Sequence, residues 1–251
     1  MEQPLLERPP TMTHQITAIT PTWEQTNPQW LHEQTNSLKK AGATHHAYAT
    51  PPHHTNQLHE PQNNTITINT TSRNVAHKRN LLLRHTETPW LVIADDDDLY
   101  QPDSLTELAR RATPEHAAVL GIAEDVDEEG NLLPSPPTVP GVYTAAQLYD
   151  YWLESLEHSP HGLLPFHMNA GIWNVRMMKL INGWHQYVNG GRYGEDIVTA
   201  LNVARLGIVE VVDVDVFRYR QHSDSLMKQA TAQQEQEFHD TMKGLFSNVH
   251  N

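Results

Sequence analysis

Apolar and polar positions follow two rhythms along this chain, one of period two and one near 3.6. QITAIT, from Gln15, reads as a strand ended by Pro21, and Asn27 followed by Pro28 supplies a helix N-cap and first turn. Trp30, Leu31 and Leu38, with Gly42 beyond, then predict a helix of about four turns. THHAYA and TITIN are two further strands. Between Arg73 and His85, Val75, Ala76 and Leu81 to Leu83 fall at near-helical spacing, and Pro89 restarts the chain into WLVIA. That run is continuous rather than alternating, as expected of a central parallel strand covered on both faces. Ser104 with Glu107 forms a candidate capping box for a helix ending near Ala112, and AAVLGIA follows as a buried strand.

The order strand, helix, strand, strand, helix, strand, helix, strand predicts an α/β domain with a mostly parallel sheet flanked by helices. DVDEEGNLLP reads as a hairpin or exposed turn, and the prolines from Pro134 to Pro140 mark a boundary. Beyond it lie a helix around Ala145 to Glu157, a Gly/Pro-punctuated stretch to Trp173, and a short helix near Arg176 to Ile181. GEDIVTALNVARLG is an amphipathic helix with Ile197, Leu201 and Ala204 on one face and Gly207 as its stop. IVEVVDVDVFRYR is a strand, and the polar remainder ends in a helix. No internal repeat is visible.

Composition narrows the chemistry. At 251 residues the chain buries a full core, and its net charge of -13 works against stable binding to nucleic acid. No apolar run is long enough to span a membrane and no signal sequence is visible, so the protein is expected to be soluble where it is made. The absence of cysteine excludes disulfides, thiolate metal sites and cysteine nucleophiles. His45, His46, His53, His54 and His59 crowd one region; a zinc site is conceivable from imidazoles alone, but the spacing matches no closed ligand set, and a polar surface loop is the expectation.

Four consecutive aspartates, Asp95 to Asp98, follow WLVIA directly. Short acidic runs are usually solvated loop faces. Here the run stands where a strand of an open α/β sheet ends, the edge at which such sheets bind ligands. Hard divalent cations take one or two carboxylates there, with substrate phosphates completing the shell. An EF-hand is excluded, since the glycine it requires at its sixth position is Tyr100.

The stretch from Arg73 to Leu105, RNVAHKRNLLLRHTETPWLVIADDDDLYQPDSL, resembles the nucleotide-sugar-binding half of family 2 glycosyltransferases, which have the Rossmann-like GT-A fold. That family shows an Arg-Asn pair on a helix, an apolar strand, an Asp-x-Asp motif with a following aspartate, and then a Pro. Here these are Arg79 and Asn80, Asp95 to Asp97 with Asp98, and Pro102. ITPTWEQ is similar to the first-strand turn, with Thr20, Pro21 and Thr22 beside the nucleotide. GWHQYVNGGRYGEDIVTALNVARLG resembles the acceptor segment, whose Glu-Asp pair is Glu195 and Asp196 here. YRQHSDSLMK is similar to the closing Tyr-Arg-x-His segment, with His222. The likeness runs from Gln15 to Lys228.

What the resemblance implies is a metal-dependent, inverting hexosyltransferase. Residues 1–13 form a flexible leader, 14–133 the nucleotide-sugar-binding half, and 134–251 the acceptor-binding half of one compact domain. Thr20, Pro21, Thr22, Arg79, Asn80, Asp95, Asp96 and Glu195 contact a nucleoside-diphosphate sugar, with a UDP-sugar preferred. Asp97 and His222 hold Mn²⁺ or Mg²⁺, with Asp96 and Asp98 the alternatives if the register shifts by one, and Asp196 is the catalytic base. A diphosphate would also explain the basic cluster of Arg73, Lys78, Arg79 and Arg84, although Arg79 and Arg84 could simply complement the C-terminal half of their helix. Trp173 and Trp184 could stack on an acceptor sugar, but aromatic residues are more often core, and they are left outside the site.

Many family members read the base with acidic residues after the second strand. This chain has YATPPHH there, so the base stays open. The acceptor stays open too: a glycan, a protein, a lipid-linked sugar or a modified nucleobase. Location is expected in the cytoplasm, or peripheral to the membrane, of a bacterial or phage-infected cell. Two other readings compete. A nucleotidyltransferase would need a glycine-rich basic loop after the first strand, which ITPTWEQTNPQW lacks, and a non-catalytic binding module would have no use for Asp97, Asp196 and His222 together.

Overall fold

Strand β1 (Ile16–Pro21) is buried along its length and leads into helix α1 (Pro28–Ala41). Asn27 caps α1, its Oδ1 accepting from the Gln29 N–H at 2.9 Å, and Gly42 closes it at a φ of 113°, the left-handed conformation a helix stop favours. Strands β2 (His45–Thr50) and β3 (Thr65–Asn69), helix α2 (Val75–His85) and strand β4 (Trp90–Ile93) follow as predicted. Next come β5 (Leu99–Tyr100), α3 (Ser104–Arg111) and the long β6 (His116–Val126), which turns into β7 (Leu132–Leu133) as the expected hairpin. The chain continues through β8 (Gly141–Tyr143), α4 (Ala145–Ser155), β9 (Gly171–Asn174), α5 (Val175–Leu180), α6 (Glu195–Ala204), β10 (Ile208–Arg220) and α7 (Ala232–Phe246). This computed structural model describes residues 14–53, 64–159, 162–185, 194–222, 231–246 and 248. The leader 1–13, His54 and His59 lie outside them, as do parts of the acceptor and closing segments.

Among the described residues the strands make one sheet in the order β3-β2-β1-β4-β9-β6-β10-β5, with β7 beside β6 and β8 beside β10. The expected parallel arrangement holds from β3 to β4 and again between β6 and β10. It fails in the middle. GIWN, inside the stretch left without structure, is β9, wedged antiparallel between β4 and β6. The short length of this strand, and glycine at its start, hid it from a pattern search. Gly171 is required because a Cβ there would strike the backbone of Val119 and Leu120 on β6. With β8, β9 and β10 in it, the sheet also joins the two halves set apart at residues 133 and 134.

Helices cover both faces. Leu91 and Ile93 of β4 face the core shared with α2, α4, α6 and α7, whereas Trp90 and Val92 face α1 and α3. Covering on both sides explains why WLVI is apolar without alternation. Two local expectations change. Ser104 does not cap α3: Asp103 holds the cap position with φ 59°, the Ser104 hydroxyl donates to Gln101 O at 2.7 Å, and Glu107 pairs with Arg110 and Arg111. His46 is no surface residue but lies buried on β2, stacked beside Tyr48, where desolvation pushes its pKa down to about 4.

Helix α7 locks the start of α6. Gly194, the residue before α6, has φ 75°, and a Cβ there would collide with the Phe238 ring, which is fully buried. Phe238 also meets Trp152 edge-on at 5.9 Å. Replacing it, Phe238→Ala, should cost about 3–5 kcal/mol, measurable as a lower urea midpoint with unchanged slope.

Candidate active site

The connection from β1 runs outward to β2 and β3, then α2 brings the chain back past β1 to β4. The point where the order reverses therefore lies between β1 and β4, and ligands of open α/β sheets bind in the crevice at that place. Asp95 to Asp98 leave β4 there. They point to different partners: Asp95 accepts from Arg79 Nη2 and Asn169 Nδ2, each at 3.0 Å, and Asp96 accepts from the Thr26 hydroxyl. Asp97 meets His222 Nε2 at 2.7 Å. Asp98 is fully buried, holding the Arg220 N–H and Asn169 Nδ2, both at 3.3 Å.

Helix α2 carries Arg79 into the middle of this set. Its Nη1 reaches Asp196 at 2.6 Å and Glu195 at 3.3 Å, while Nη2 holds Asp95, so one buried guanidinium ties the end of β4 to the start of α6. The fork of donors suits this task as a lysine would not. Asp196 is about one-third exposed; its Oδ1 also accepts from the Trp184 indole N–H at 3.1 Å, and its Oδ2 has no partner among the described residues.

Several of the residues expected here take other places. Thr20 turns away from the crevice, its hydroxyl accepting from the buried Gln34 amide at 3.0 Å. Asn80 binds the Trp184 backbone with both ends of its amide, at 2.7 and 2.8 Å. Glu195 is buried against Arg79 rather than open to a ligand. Pro21 ends β1 at the sheet edge and Thr22 follows it, its hydroxyl buried without a partner among the described residues. The basic cluster disperses: Arg73 precedes α2, and the helix sends the other three to different faces. Arg73 and Arg84 are exposed, whereas Lys78 is buried over the Trp23 ring at 3.8 Å and donates to Thr22 O. Sequence reasoning missed Thr26, Asn169 and the indole of Trp184; no local pattern marks the first two, while Trp184 stood in the quoted acceptor segment and was assigned to core.

Electrostatics separates this cluster from a solvated loop. Six carboxylates, Asp95 to Asp98, Glu195 and Asp196, share this edge of the sheet, three of them on Arg79, and burial with mutual repulsion raises Asp96, Asp97, Asp98 and Glu195 above the usual carboxylate range. Asp96 is pushed up to about 7 and Glu195 to about 8, by desolvation first and a neighbouring carboxylate second. A raised folded-state pKa means that the native protein binds the extra protons, so stability is fullest below the unfolded value and falls as pH rises. For Glu195 the window runs from 4.5 to about 8. The melting midpoint should drop across it, and Glu195→Gln should flatten that slope.

An excess of carboxylate oxygen suits a hard divalent cation. Among the described residues no three His, Asp or Glu side chains converge to hold a metal by themselves. Asp97 with His222 gives two donors in contact, the number Mg²⁺-type sites take from protein when a phosphate substrate completes them. His222 is in turn set by Trp30, its ring 5.4 Å away, and Arg220 lies over the same indole at 5.0 Å while pairing with Glu33 at 2.9 Å.

Residues 48–169 match the family model described as glycosyl transferase family 2. No curated protein gives a sequence match. Among solved structures, residues 1–349 of S. aureus TarS in complex with UDP-GlcNAc are similar at a TM-score of 0.61 and 14% identity, covering 93% of this chain and 73% of that one. The same TarS segment in complex with UDP gives 0.59 and 14%, over 93% and 72% of the two chains. Another S. aureus TarS structure gives 0.56 at 14% identity, with 93% of this chain matched to 44% of that one. No helix among the described residues is long and apolar enough to cross a membrane. The family match begins on β2, passes through the aspartate run and ends at Asn169, so this chain carries a family 2 glycosyltransferase domain on the GT-A fold and is a glycosyltransferase.

Proposed function

We propose that the chain moves a sugar from a nucleoside-diphosphate sugar to an acceptor hydroxyl in one inverting, metal-dependent displacement. The observation that carries this is the meeting of Asp97 and His222 at the strand-order reversal, with Asp196 held to the same cluster through Arg79. Asp97 and His222 would hold Mn²⁺ or Mg²⁺, which supplies charge neutralisation for the departing diphosphate. TarS, of the same fold, was crystallised with UDP and with UDP-GlcNAc, which favours a UDP-sugar as donor.

The chain's own groups do the rest. Asp196 is the base: its Oδ2, without a partner among the described residues, takes the acceptor proton as the hydroxyl attacks, while Arg79 and Trp184 fix Oδ1. A single base acting from the face opposite the leaving group inverts the anomeric centre. Asp95, held from both sides by Arg79 and Asn169, is a rigid acceptor for sugar or ribose hydroxyls. Pro21 and Thr22 border the nucleoside end, and Thr26 orients Asp96 there.

The acceptor belongs to residues 134–251, and nothing in the fold chooses among the classes named above. A cytoplasmic, bacterial or phage setting is part of this reading. The test is release of UDP from UDP-GlcNAc in the presence of Mn²⁺ and candidate acceptors, with the product anomer read by NMR. An inverted product supports the reading; a retained one removes the single-displacement scheme.

A further inference from the structure

His167 takes no part in the ion pairs of the site, yet it lies among them. It stands in the loop before β9, two residues from Asn169, whose amide bridges Asp95 and Asp98. Its ring stacks on Phe217 of β10, with centroids 4.8 Å apart and planes at 29°, and packs against Tyr219 at 5.2 Å. The ring is thereby held in place. Its Nδ1 accepts the Asn169 backbone N–H at 3.2 Å, a bond available only when Nδ1 is unprotonated, so the neutral ring carries its hydrogen on Nε2. Burial keeps the imidazole below its ordinary range against the pull of Asp95 and Asp196, which favours that neutral form. The residue is partly exposed, and Nε2 has no partner among the described residues. A fixed tautomer with an unused, accessible N–H is a donor available to a ligand.

Position indicates which part of the ligand. If the diphosphate lies toward Asp97 and His222 and the acceptor hydroxyl toward Asp196, the sugar being transferred lies between them. Asn169 binds His167 through its backbone N–H and Asp95 through its amide, and Arg79 ties Asp95 to Asp196, so His167 stands beside the groups that flank this middle ground. A neutral donor there matches an uncharged hydroxyl rather than a phosphate. We propose that His167 donates from Nε2 to a hydroxyl of the transferred sugar and is a specificity-determining residue of the donor site, an assignment that rests on the transfer reading above.

The experiment measures binding, with Mn²⁺ present, of UDP-GlcNAc, UDP-glucose, GDP-mannose and dTDP-rhamnose, each beside its own nucleoside diphosphate. Wild type identifies the pair that binds. His167→Phe keeps a flat ring against Phe217 and Tyr219 but removes the donor, and His167→Gln restores an N–H at similar reach. The expected result is that His167→Phe weakens the sugar nucleotide roughly fivefold to tenfold while the diphosphate alone is unaffected, with His167→Gln recovering most of the loss. Should His167→Phe fail to fold, His167→Asn, too short to place a donor at the Nε2 position, replaces it with the same expectation. Equal weakening of both ligands would make the role structural and overturn the proposal. So would unchanged donor binding accompanied by a raised acceptor KM. If no pair binds wild type, the transfer reading itself falls and takes this assignment with it.

Discussion

Asp196→Asn lowers kcat by about 10²- to 10⁴-fold and leaves UDP-sugar affinity within a few-fold of wild type. The change is nearly isosteric, so Oδ1 still accepts from Arg79 and Trp184, which hold it at 2.6 and 3.1 Å. What is lost is a site basic enough to take the acceptor proton. Because Gly194 and Phe238 fix the turn into α6, the helix start should not move, and the melting midpoint should change little. Initial rates at saturating donor, paired with a donor-binding isotherm, check this. Full activity in the variant would exclude Asp196 as the base.

Arg79→Met produces the other large effect, and it acts on stability as well as rate. The guanidinium is 3% exposed and touches Asp95, Glu195 and Asp196, so its removal leaves three carboxylates facing one another with no shared cation. Breaking a buried charge arrangement on one side costs about 3–5 kcal/mol. The loss should shrink at low pH, where the carboxylates that Arg79 touched are protonated and their repulsion disappears. Arg79→Lys should recover only part of either property, since a single ammonium cannot reach Asp95 through one nitrogen and Glu195 with Asp196 through another. Urea unfolding at low and neutral pH separates this from a plain packing defect, which would show the same loss at both.

Where sequence and structure agree, the causes are local. Asn27, Pro28 and Gly42 delimit α1 because capping and left-handed closure are properties of single residues. WLVI announces a covered strand because both of its faces meet helices. The disagreements arise from contacts distant in sequence. β9 is four residues long and takes its identity from pairing with β4 and β6, which no window of sequence contains. The resemblance to the family's Arg-Asn pair places Asn80 with the nucleotide, but successive helix positions face different ways, and its amide closes on Trp184, more than 100 residues on. Asn169 could not be seen beforehand, since its role is defined by Asp95 and Asp98 meeting it across the crevice. The aspartate run is legible as a candidate site; how each carboxylate is shared out is not.

The account turns on whether Asp97 and His222 bind a metal that in turn holds a nucleotide. Thermal melting with UDP, with and without Mn²⁺, in wild type and Asp97→Asn, addresses that most directly. A ligand at about 100 times its Kd adds roughly 2.7 kcal/mol to the native state. The account predicts that UDP raises the wild-type midpoint only when Mn²⁺ is present, and that Asp97→Asn abolishes the rise. UDP stabilising both proteins equally, or stabilising wild type without metal, would contradict it.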